Sequence, residues 1–469
     1  AREWQNVGEE AQQRVQTQAP RYACGGTGGG LRMSRMDRAK YTGNGMRQST
    51  AEKQRRSAEP GSRGADDAAD ARARRDLAYV QVASSELTRD INRDLILELI
   101  RSMQPISRVD LARASGLQPS TVSSIVEQLL GERWVREGAM VKTARGRRPT
   151  LLSLNDDLVI LAADVRPAHA VVALLDLNGR FLARRLVPLS SQPDKAISSI
   201  ARVMTQFRAE FPDKTFEGAG LSLPGRINPA TNDLLLAPNL HWREFDIHGA
   251  LSKAVGIPVQ LENGANASLL SELWFGRMDG VRNAVLVTIS EGVGTAILAE
   301  GRLISGQNGL AGEFGHIQVD PEGPLCGCGA HGCWEMFASS RAALRYYAEL
   351  APEASRKTIV ELVSLAIDGD PAAAKALERQ AIAIGEGLHI LNAVLAPDVI
   401  LFAGDITSMW EMSREVIARE CRIGVMAGEG PRLSSIGDGE QARLRGAAAV
   451  VLQRHSGYYR ANHKRPDAR

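Results

Sequence analysis

The sequence lacks the features that mark secreted and membrane proteins. Only five of its 469 residues are cysteines, and three of these lie close together, which argues against a disulfide framework. No apolar run approaches the length of a membrane-spanning helix. The opening residues AREWQNVGEE do not have the basic-then-apolar order of a secretory signal. These absences predict a cytoplasmic protein without a membrane partner.

The chain also has little net charge, only +3, but the charge is unevenly distributed. Residues 91–150 contain 10 basic and 6 acidic side chains, whereas residues 151–469 contain 31 basic and 36 acidic ones. A small basic segment in front of a larger acidic one favours a nucleic-acid-binding module joined to a second domain. The apolar fraction of 44% is ample for buried cores.

Composition and pattern together predict four segments. Residues 1–85 are rich in Gly, Arg, Gln, Ser and Ala and are expected to be a disordered extension, either a basic arm or a dispensable one. The predicted boundaries are 1–85 for this extension, 86–155 for a winged helix-turn-helix, 156–455 for an α/β domain with lobes at about 156–280 and 281–455, and 456–469 for a basic tail.

The helix-turn-helix prediction rests on three short helical patterns. The first has Ile91, Leu95, Leu99 and Met103 on one face, with Ile96 and Ile100 widening it. Ser107 is the expected cap of the second helix and Gly116 its end. Pro119 suits the first position of a third helix, whose apolar positions are Val122, Ile125, Val126, Leu129 and Leu130.

The start of this third helix is the expected DNA-contacting surface, because short hydroxyl side chains there contact phosphates and base edges. The segment 134–155 alternates apolar and polar residues like a hairpin, and its arginine-rich tip would form a wing. The alternative is a three-helix bundle with a solvated basic loop. The residues predicted to contact DNA are Gln118, Ser120, Thr121, Ser123, Ser124, Arg145, Arg147 and Arg148.

From Leu158 onward, strands alternate with helices, and a similar order begins again near residue 283. Two successive halves of this kind predict a bilobed α/β body with a cleft between the lobes.

A cysteine-rich segment from Gly312 to Glu335 reads GEFGHIQVDPEGPLCGCGAHGCWE. Three thiolates and an imidazole are ligands that tetrahedral Zn²⁺ prefers, and four protein ligands would leave no open position. The segment therefore predicts a structural Zn²⁺ site, with buried thiols acting as small hydrophobes as the alternative. Its predicted ligands are His316, Cys326, Cys328 and Cys333.

This segment resembles the signature of the ROK family (repressors, open reading frames and kinases), which has E-x-G-H followed by C-x-C-G-x-x-G-C-x-E. The blocks PGRINP, APNLHW, ENGANA and LAPDVILFAGD are also similar to the family's, and the resemblance covers about residues 88–453. The helix-turn-helix resembles the family's repressors, which include xylose and N-acetylglucosamine repressors. The resemblance implies an actin-like, hexokinase-like (ribonuclease H-like) fold, a sugar cleft and a structural zinc.

The resemblance also implies which residues contact a sugar or sugar phosphate. Carboxylates accept hydrogen bonds from sugar hydroxyls, and a metal-bound histidine donates through its other nitrogen. The sequence does not decide whether His316 binds zinc alone or zinc and sugar. The implied sugar contacts are Gly225, Asn239, Asn263, Glu313, His316 and Glu335.

The departures from the kinase pattern predict that no phosphoryl transfer occurs. Kinases of the family have an aspartate after the asparagine of the ENGANA block, and here that position is Gly264. The two phosphate-binding blocks, at 164–168 and 290–296, contain Pro167 and Glu291, which remove an N–H donor and add a negative charge. No catalytic residue is therefore predicted.

The sequence thus predicts a sugar-responsive regulator of carbohydrate genes, a repressor that binds operator DNA as a homodimer or homotetramer. Two alternatives stay open at this point. One is an active ATP-dependent sugar kinase with an attached DNA-binding module, and the other is a DNA-binding scaffold with an empty cleft.

Overall fold

The computed structural model describes residues 85–140, 150–240, 242–243, 245–276, 278, 280–423, 429–437 and 439–453. The predicted extension up to residue 84, the predicted wing tip and the predicted basic tail lie outside these residues. Within the described ranges, no helix combines the length and the apolar character that a membrane crossing requires.

An N-terminal module, residues 85–154, contains three helices and a small antiparallel sheet of order β1-β3-β2. Helix α1 already begins at Ser85, earlier than the pattern from Ile91 indicated. The hairpin strands pair from Val135 with Leu154 to Met140 with Thr150. The elements are α1 (Ser85–Met103), β1 (Ile106–Ser107), α2 (Arg108–Ser115), α3 (Pro119–Gly131), β2 (Val135–Met140) and β3 (Thr150–Leu154).

Local chemistry sets the turn between α2 and α3. The Ser107 hydroxyl accepts a hydrogen bond from the backbone N–H of Asp110 at 3.2 Å and so caps α2. Gly116 ends α2 with φ of 70°, a conformation that glycine adopts without steric cost. Pro119 is the first residue of α3, where its missing N–H leaves no bond unmade.

The predicted apolar face of α1 was correct at Ile96 and Ile100, which are fully buried, but wrong at three other positions. Ile91, Leu95 and Met103 are 55%, 39% and 52% exposed. The buried face is rotated from the predicted one, because the Arg93 guanidinium lies inside the module and pairs with Glu132 just beyond the end of α3. The apolar side chains that this rotation buries are Ile96, Leu97 and Ile100.

Lobe 1 is built on a mixed five-stranded sheet of order β11-β7-β4-β5-β6, with a small sheet β10-β9-β8 beside it. The first strand in chain order, β4, lies in the middle of this sheet between β7 and β5. It is buried along its whole length. The elements are β4 (Leu158–Val165), β5 (His169–Asp176), β6 (Phe181–Pro188), α4 (Pro193–Glu210), β7 (Thr215–Leu223), β8 (Arg226–Asn228), β9 (Asp233–Ala237), β10 (Trp242–Arg243), α5 (Ile247–Val255), β11 (Val259–Asn263) and α6 (Gly264–Phe275).

Lobe 2 repeats this topology in a second five-stranded sheet of order β14-β13-β12-β15-β16. Counted in chain order, the first strand of each sheet is central. The next two strands continue the sheet antiparallel on one side of it, and the last two continue it in parallel on the other side. The elements are β12 (Ala284–Ile289), β13 (Val293–Ala299), β14 (Arg302–Leu303), α7 (Glu335–Ala338), α8 (Ser340–Leu350), α9 (Ile359–Ile367), α10 (Pro371–Leu395), β15 (Val399–Gly404), α11 (Trp410–Arg422), β16 (Arg432–Ser435) and α12 (Gly439–Gln453).

This duplication confirms the bilobed, actin-like α/β body predicted from the sequence. The elements that were not predicted are helices α7, α8 and α11 and the short strands β8, β9, β10, β14 and β16. The last helix, α12, returns to lobe 1, where the backbone of Ala447 passes so close to Gly220 of β7 that a Cβ on this glycine would overlap the Ala447 carbonyl. The C-terminal helix α12 therefore packs against the sheet of lobe 1.

One apolar cluster joins the N-terminal module to lobe 1. Its members come from α1 and α3 of the module, from β4 and β5, and from α12, and they include Ile96, Ile100, Val126, Leu158, Ile160 and Val451. Burial of such a cluster contributes roughly 25 cal/mol per Å² of apolar surface. The module is therefore packed on lobe 1 and is not merely tethered to it.

Candidate metal centre and cleft

Four side chains of the cysteine-rich segment lie together, as predicted. The ligand atoms of His316, Cys326, Cys328 and Cys333 all lie within 4.8 Å of one another. The His316 Nδ1 is 3.5 Å from the Cys326 Sγ, and the Cys328 Sγ is 3.6 Å from the Cys333 Sγ. The cluster can hold one metal ion.

The backbone reaches this arrangement through tight turns. Gly332 has φ of 61°, and a Cβ at this position would overlap the carbonyl of Asp320. Two backbone bonds, from Cys326 N–H to the Ala330 oxygen and from Trp334 N–H to the Ile317 oxygen, then pin the loop on either side. The glycine at 332 is therefore required by the fold of the loop.

The electrostatics of the cluster favour a cation. Burial, followed by the neighbouring thiols Cys328 and Cys326, raises the pKa of Cys333 to about 12. Burial likewise raises the pKa of Cys326, whereas the backbone N–H of Ala330 lowers that of the exposed Cys328. A bound dication offsets the cost of placing several thiolates side by side and displaces their protons.

The two ring nitrogens of His316 face different partners. Nδ1 points to Cys326 within the metal cluster, and Nε2 lies 3.9 Å from Glu313 Oε2. Both side chains are partly open to solvent, 37% exposed for His316 and 48% for Glu313. One ring nitrogen of His316 therefore lies in the cysteine cluster, while the other faces the Glu313 carboxylate.

Two predicted sugar contacts from lobe 1 meet directly. The Asn263 side chain donates from Nδ2 to the Gly225 carbonyl at 2.8 Å and accepts from the N–H of Ala265, also at 2.8 Å. Asn263 thereby caps α6. A Cβ at Gly225 would lie 2.5 Å from the Leu236 oxygen, so β9 packs closely against this glycine. The predicted contact Asn239 follows β9 by two residues and is exposed.

The predicted contact Glu335 has other partners. Its Oε2 accepts from the backbone N–H of Val293 at 3.0 Å, and its Oε1 accepts from Arg341 at 3.3 Å. Val293 is the first residue of β13 and belongs to the block at 290–296, so the Glu335 carboxylate is bound at the turn between β12 and β13. Glu335 thus links the metal segment to that block, and its polar contacts do not reach Asn263 or Gly225.

The first phosphate block also contains an internal ion pair. Asp164 is 2% exposed, and its Oδ2 accepts from the Nε of Arg166 at 2.9 Å and from the Nε of Arg443 at 3.0 Å. Burial raises the pKa of Asp164 to about 6, opposed by Arg166 and Ser222. Two guanidinium groups therefore surround the only carboxylate of this block.

Gly264 lies beside this ion pair at the first position of α6. A Cβ placed there would be 3.6 Å from both Arg443 Cδ and Ser222 Oγ, which is an ordinary contact distance. The site can therefore accept a side chain, and the missing carboxylate is a feature of the sequence rather than a steric requirement.

The predicted DNA-contacting residues of α3 lie on its open side. Gln118, Ser120, Ser123 and Ser124 are exposed and Thr121 is half-buried. The Ser123 hydroxyl donates to the Pro119 carbonyl at 2.9 Å. The opposite face of α3 is buried through Val122, Ile125, Val126 and Leu129, as predicted.

Reasoning from the sequence missed three functional candidates, Arg101, Arg341 and Arg443. Arg443 lies in an Ala-rich helix far from any motif, so no local signal pointed to it. Its partner Asp164 precedes it by 279 positions, and only the fold brings the two together.

Two lobes of one repeated topology, with three thiols and an imidazole grouped in lobe 2, define a bilobed actin-like α/β protein. A family model, described as the ROK family, matches residues 161–454. The chain belongs to the ROK family.

Relatives with known names include both regulators and kinases. The chain is 28% identical to a xylose repressor of Bacillus spizizenii over 380 residues, which cover 80% of this chain and 98% of the repressor. The crystal structure of a ROK family transcriptional regulator, a homologue of the E. coli MLC protein, is 26% identical with a TM-score of 0.69 and covers 79% of this chain and 98% of its own.

A kinase of the family is similar over a shorter part of the chain. The crystal structure of a ROK family glucokinase from Streptomyces griseus, in complex with glucose and AMPPNP, is 28% identical with a TM-score of 0.55. It covers 63% of this chain and 99% of its own.

Proposed function

We propose that this chain is a sugar-responsive transcriptional repressor of carbohydrate genes whose N-terminal module is a winged helix-turn-helix. The observation that carries the proposal is the extent of the similarity. The xylose repressor matches 80% of this chain, whereas the glucokinase matches 63%. The similarity to the repressor therefore extends beyond the part that the kinase shares.

The surface of α3 supports the DNA-binding role. Its exposed hydroxyl side chains and the exposed Gln118 lie on one side, and its apolar side is used for packing. In this proposal α3 enters the major groove, and Arg145, Arg147 and Arg148 contact phosphates or an adjacent groove. A symmetric operator would be bound by a homodimer or homotetramer.

The donor set of the metal centre supports a structural Zn²⁺. Sulfurs bound at about 2.3 Å to one tetrahedral zinc ion lie roughly 3.8 Å apart, close to the 3.6 Å between Cys328 and Cys333. His316, Cys326, Cys328 and Cys333 would fill all four positions. The ion would polarise the imidazole and fix its orientation, so that His316 and Glu313 present a donor and an acceptor to a sugar hydroxyl.

The two phosphate blocks support binding without phosphoryl transfer. The Asp164 carboxylate is already paired with Arg166 and Arg443. The Val293 N–H already donates to Glu335. Gly264 has no side chain that could accept a proton. General-base help alone is typically worth about 10²–10⁴-fold in rate. In this proposal the effector, a sugar or sugar phosphate, contacts Gly225, Asn239, Asn263, Glu313, His316 and Glu335 and is released unchanged.

The test uses the full-length protein with D-xylose, N-acetylglucosamine and their phosphate esters. One of these should raise the melting temperature, since a ligand at 100 times its Kd stabilises the folded state by about 2.7 kcal/mol. The same compound should weaken binding to a DNA duplex that the protein has selected from a random library.

Each alternative predicts a different outcome of these measurements. Sugar-dependent turnover of ATP to ADP in a coupled assay, abolished by a Glu313 substitution, would establish the kinase. DNA binding with no thermal response to any sugar would establish the empty-cleft scaffold.

A further inference from the structure

Helix α6 begins at Gly264, next to two of the proposed sugar contacts, Gly225 and Asn263. Its cap is Asn263, whose side chain bonds to the Gly225 carbonyl and to the Ala265 N–H. Any ligand that contacts Asn263 or Gly225 therefore acts directly on the first turn of this helix. With 12 residues, α6 is about 18 Å long, so its other end lies about this distance from Asn263.

The body of α6 lies between the two lobes. Ala265 and Leu269 belong to an apolar cluster with Leu286 and Ala296 of the lobe 2 sheet. On another side, the backbone of Ala267 approaches Gly446 of α12 so closely that a Cβ on this glycine would overlap the Ala267 carbonyl. A movement of one lobe relative to the other must therefore displace α6 or strain its packing.

The far end of α6 holds the N-terminal module. The Arg101 guanidinium, on the last turn of α1, donates to the Trp274 carbonyl, one of the terminal carbonyls of α6 that lack a partner within the helix. Arg101 is 15% exposed, and Glu98 orients it through a bond of 2.8 Å to its Nε. Trp274 and Phe275 also pack against the cluster that contains Ile96 and Ile100.

A second contact ties the same end of α1 to lobe 1. Gln104 accepts from the Leu154 N–H at 2.9 Å and donates to Asn178 at 2.7 Å. Asn178 lies in the turn after β5, and Phe275 of α6 packs directly on its neighbour Gly179. The base of the module therefore rests on the C-terminal end of α6 and on the turn that this end supports.

We propose that α6 is the element that transmits the state of the cleft to the N-terminal module, and that Arg101 is the residue that couples them. The proposal rests on the sugar-responsive repressor proposed above and specifies its regulation. A ligand shifts an equilibrium only by its difference in affinity for two conformations. One end of α6 is next to the proposed ligand contacts, and the other end is bonded to α1. Because a helix moves as a rigid body, a displacement at the first end also moves the module.

The first readout is hydrogen–deuterium exchange of the full-length protein with and without the sugar that raises its melting temperature. In the wild type, the sugar should change exchange in residues 264–275 and also in residues 95–107. In Arg101→Met, which keeps the length of the side chain but removes the guanidinium, only the change in 264–275 should remain. Arg101→Lys, which keeps a charged donor, should restore part of the second change.

The second readout is the ratio of DNA affinities without and with sugar, measured on the selected duplex. Coupling of this kind is typically about 5- to 150-fold, and it should fall towards one in Arg101→Met while sugar affinity stays within about twofold, because Arg101 lies at the far end of α6 from Asn263. The matched control is Arg89→Met, on the same helix, whose guanidinium bonds to Gln128 inside the module. This control should keep the wild-type ratio.

The outcomes separate this inference from the function on which it rests. If the wild type showed no sugar-dependent change in DNA affinity, the proposed function would be wrong, and the coupling role with it. If the wild type responded and Arg101→Met kept both the exchange change in 95–107 and the full affinity ratio, the repressor would stand and the role of Arg101 would be overturned.

Discussion

Arg443, in the last helix of the chain, donates from its Nε to Asp164 Oδ2 over 3.0 Å, although 279 positions separate them in the sequence. Arg166 donates to the same oxygen from 2.9 Å. The only carboxylate of the 164–168 block is therefore bound by two arginine side chains of the same chain. The ion pair also ties α12 to the central strand of lobe 1.

The titration of Asp164 gives the first prediction. Burial raises its pKa to about 6 from an ordinary value of 3.8. Between these two values the folded chain binds more protons than the unfolded chain, so this group's contribution to stability is present below pH 3.8 and is lost as the pH rises through 6. At 1.36 kcal/mol per pKa unit, the loss is about 3 kcal/mol.

Asp164→Asn removes this titration. The free energy of unfolding of the wild type minus that of the variant should therefore fall by about 3 kcal/mol between pH 3.5 and 6.5, measured by urea unfolding. The loss of a partner for Arg166 and Arg443 adds an offset that does not depend on pH. A constant difference across this range would mean that the two arginines outweigh burial and keep Asp164 ionised.

Removal of one thiolate from the metal centre tests the second prediction. Cys328→Ser should lower zinc content after dialysis and raise the rate of metal loss to a chelator. Loss of a group that only hydrogen-bonds to a metal ligand already costs roughly 10–100-fold in metal affinity, so loss of a ligand should cost more. Sugar affinity should fall too, since His316 would lose its fixed orientation.

The control for this variant is Cys421→Ser, a buried cysteine in α11 outside the metal segment. It should lose some stability but keep its zinc. Full zinc content and an unchanged sugar response in Cys328→Ser would show that the metal centre had been misassigned.

A third prediction concerns the sugar contact Glu313. Glu313→Gln keeps the shape of the side chain but removes its charge, and hydrogen bonds to charged groups are worth about 1.5–3 kcal/mol. Sugar affinity, measured by calorimetry, should fall by roughly 10- to 150-fold at this energy. Glu322→Gln, an exposed acid in the same segment, is the control, and equal affinities of the two variants would place the sugar away from Glu313.

The fourth prediction concerns the predicted wing. Replacing Arg147 and Arg148 with alanine should weaken binding to all DNA sequences alike, because phosphate contacts carry no sequence information. Two lost phosphate contacts should reduce the slope of log K against log salt concentration by about 2. The matched control is Lys375→Ala with Arg414→Ala, which removes the same charge from the surface of lobe 2. An unchanged slope in the wing variant would contradict the wing.

Features with a local cause could be read from the sequence. The cap Ser107, the turn at Gly116 and the start of α3 at Pro119 depend on neighbours only a few residues away, and all three were correctly predicted. The metal centre was predictable for the same reason, because its four ligands lie within 18 positions and glycines permit the tight turns between them. The alternation of strands and helices in both lobes followed from periodicity, although several short strands and three helices did not.

Periodicity alone failed where one helix has apolar residues on more than one face. In α1, the pattern through Ile91, Leu95 and Met103 matched a helical stripe as well as the face of Ile96 and Ile100 did. The choice between these faces was made by the partners, lobe 1 and the buried Arg93 with its bond to Glu132. The spacing of apolar residues within one helix does not show which partner the helix packs against.

The sequence by itself determined the family, the grouping of one histidine with three cysteines, and the absence of a carboxylate at Gly264, since each is written in residues close together in the chain. Only the tertiary structure decided that His316 faces Cys326 with one ring nitrogen and Glu313 with the other. It likewise brought Arg443 to Asp164 and Arg101 to the end of α6. These contacts join distant segments, and they form because packing of the two lobes and the module places the side chains together.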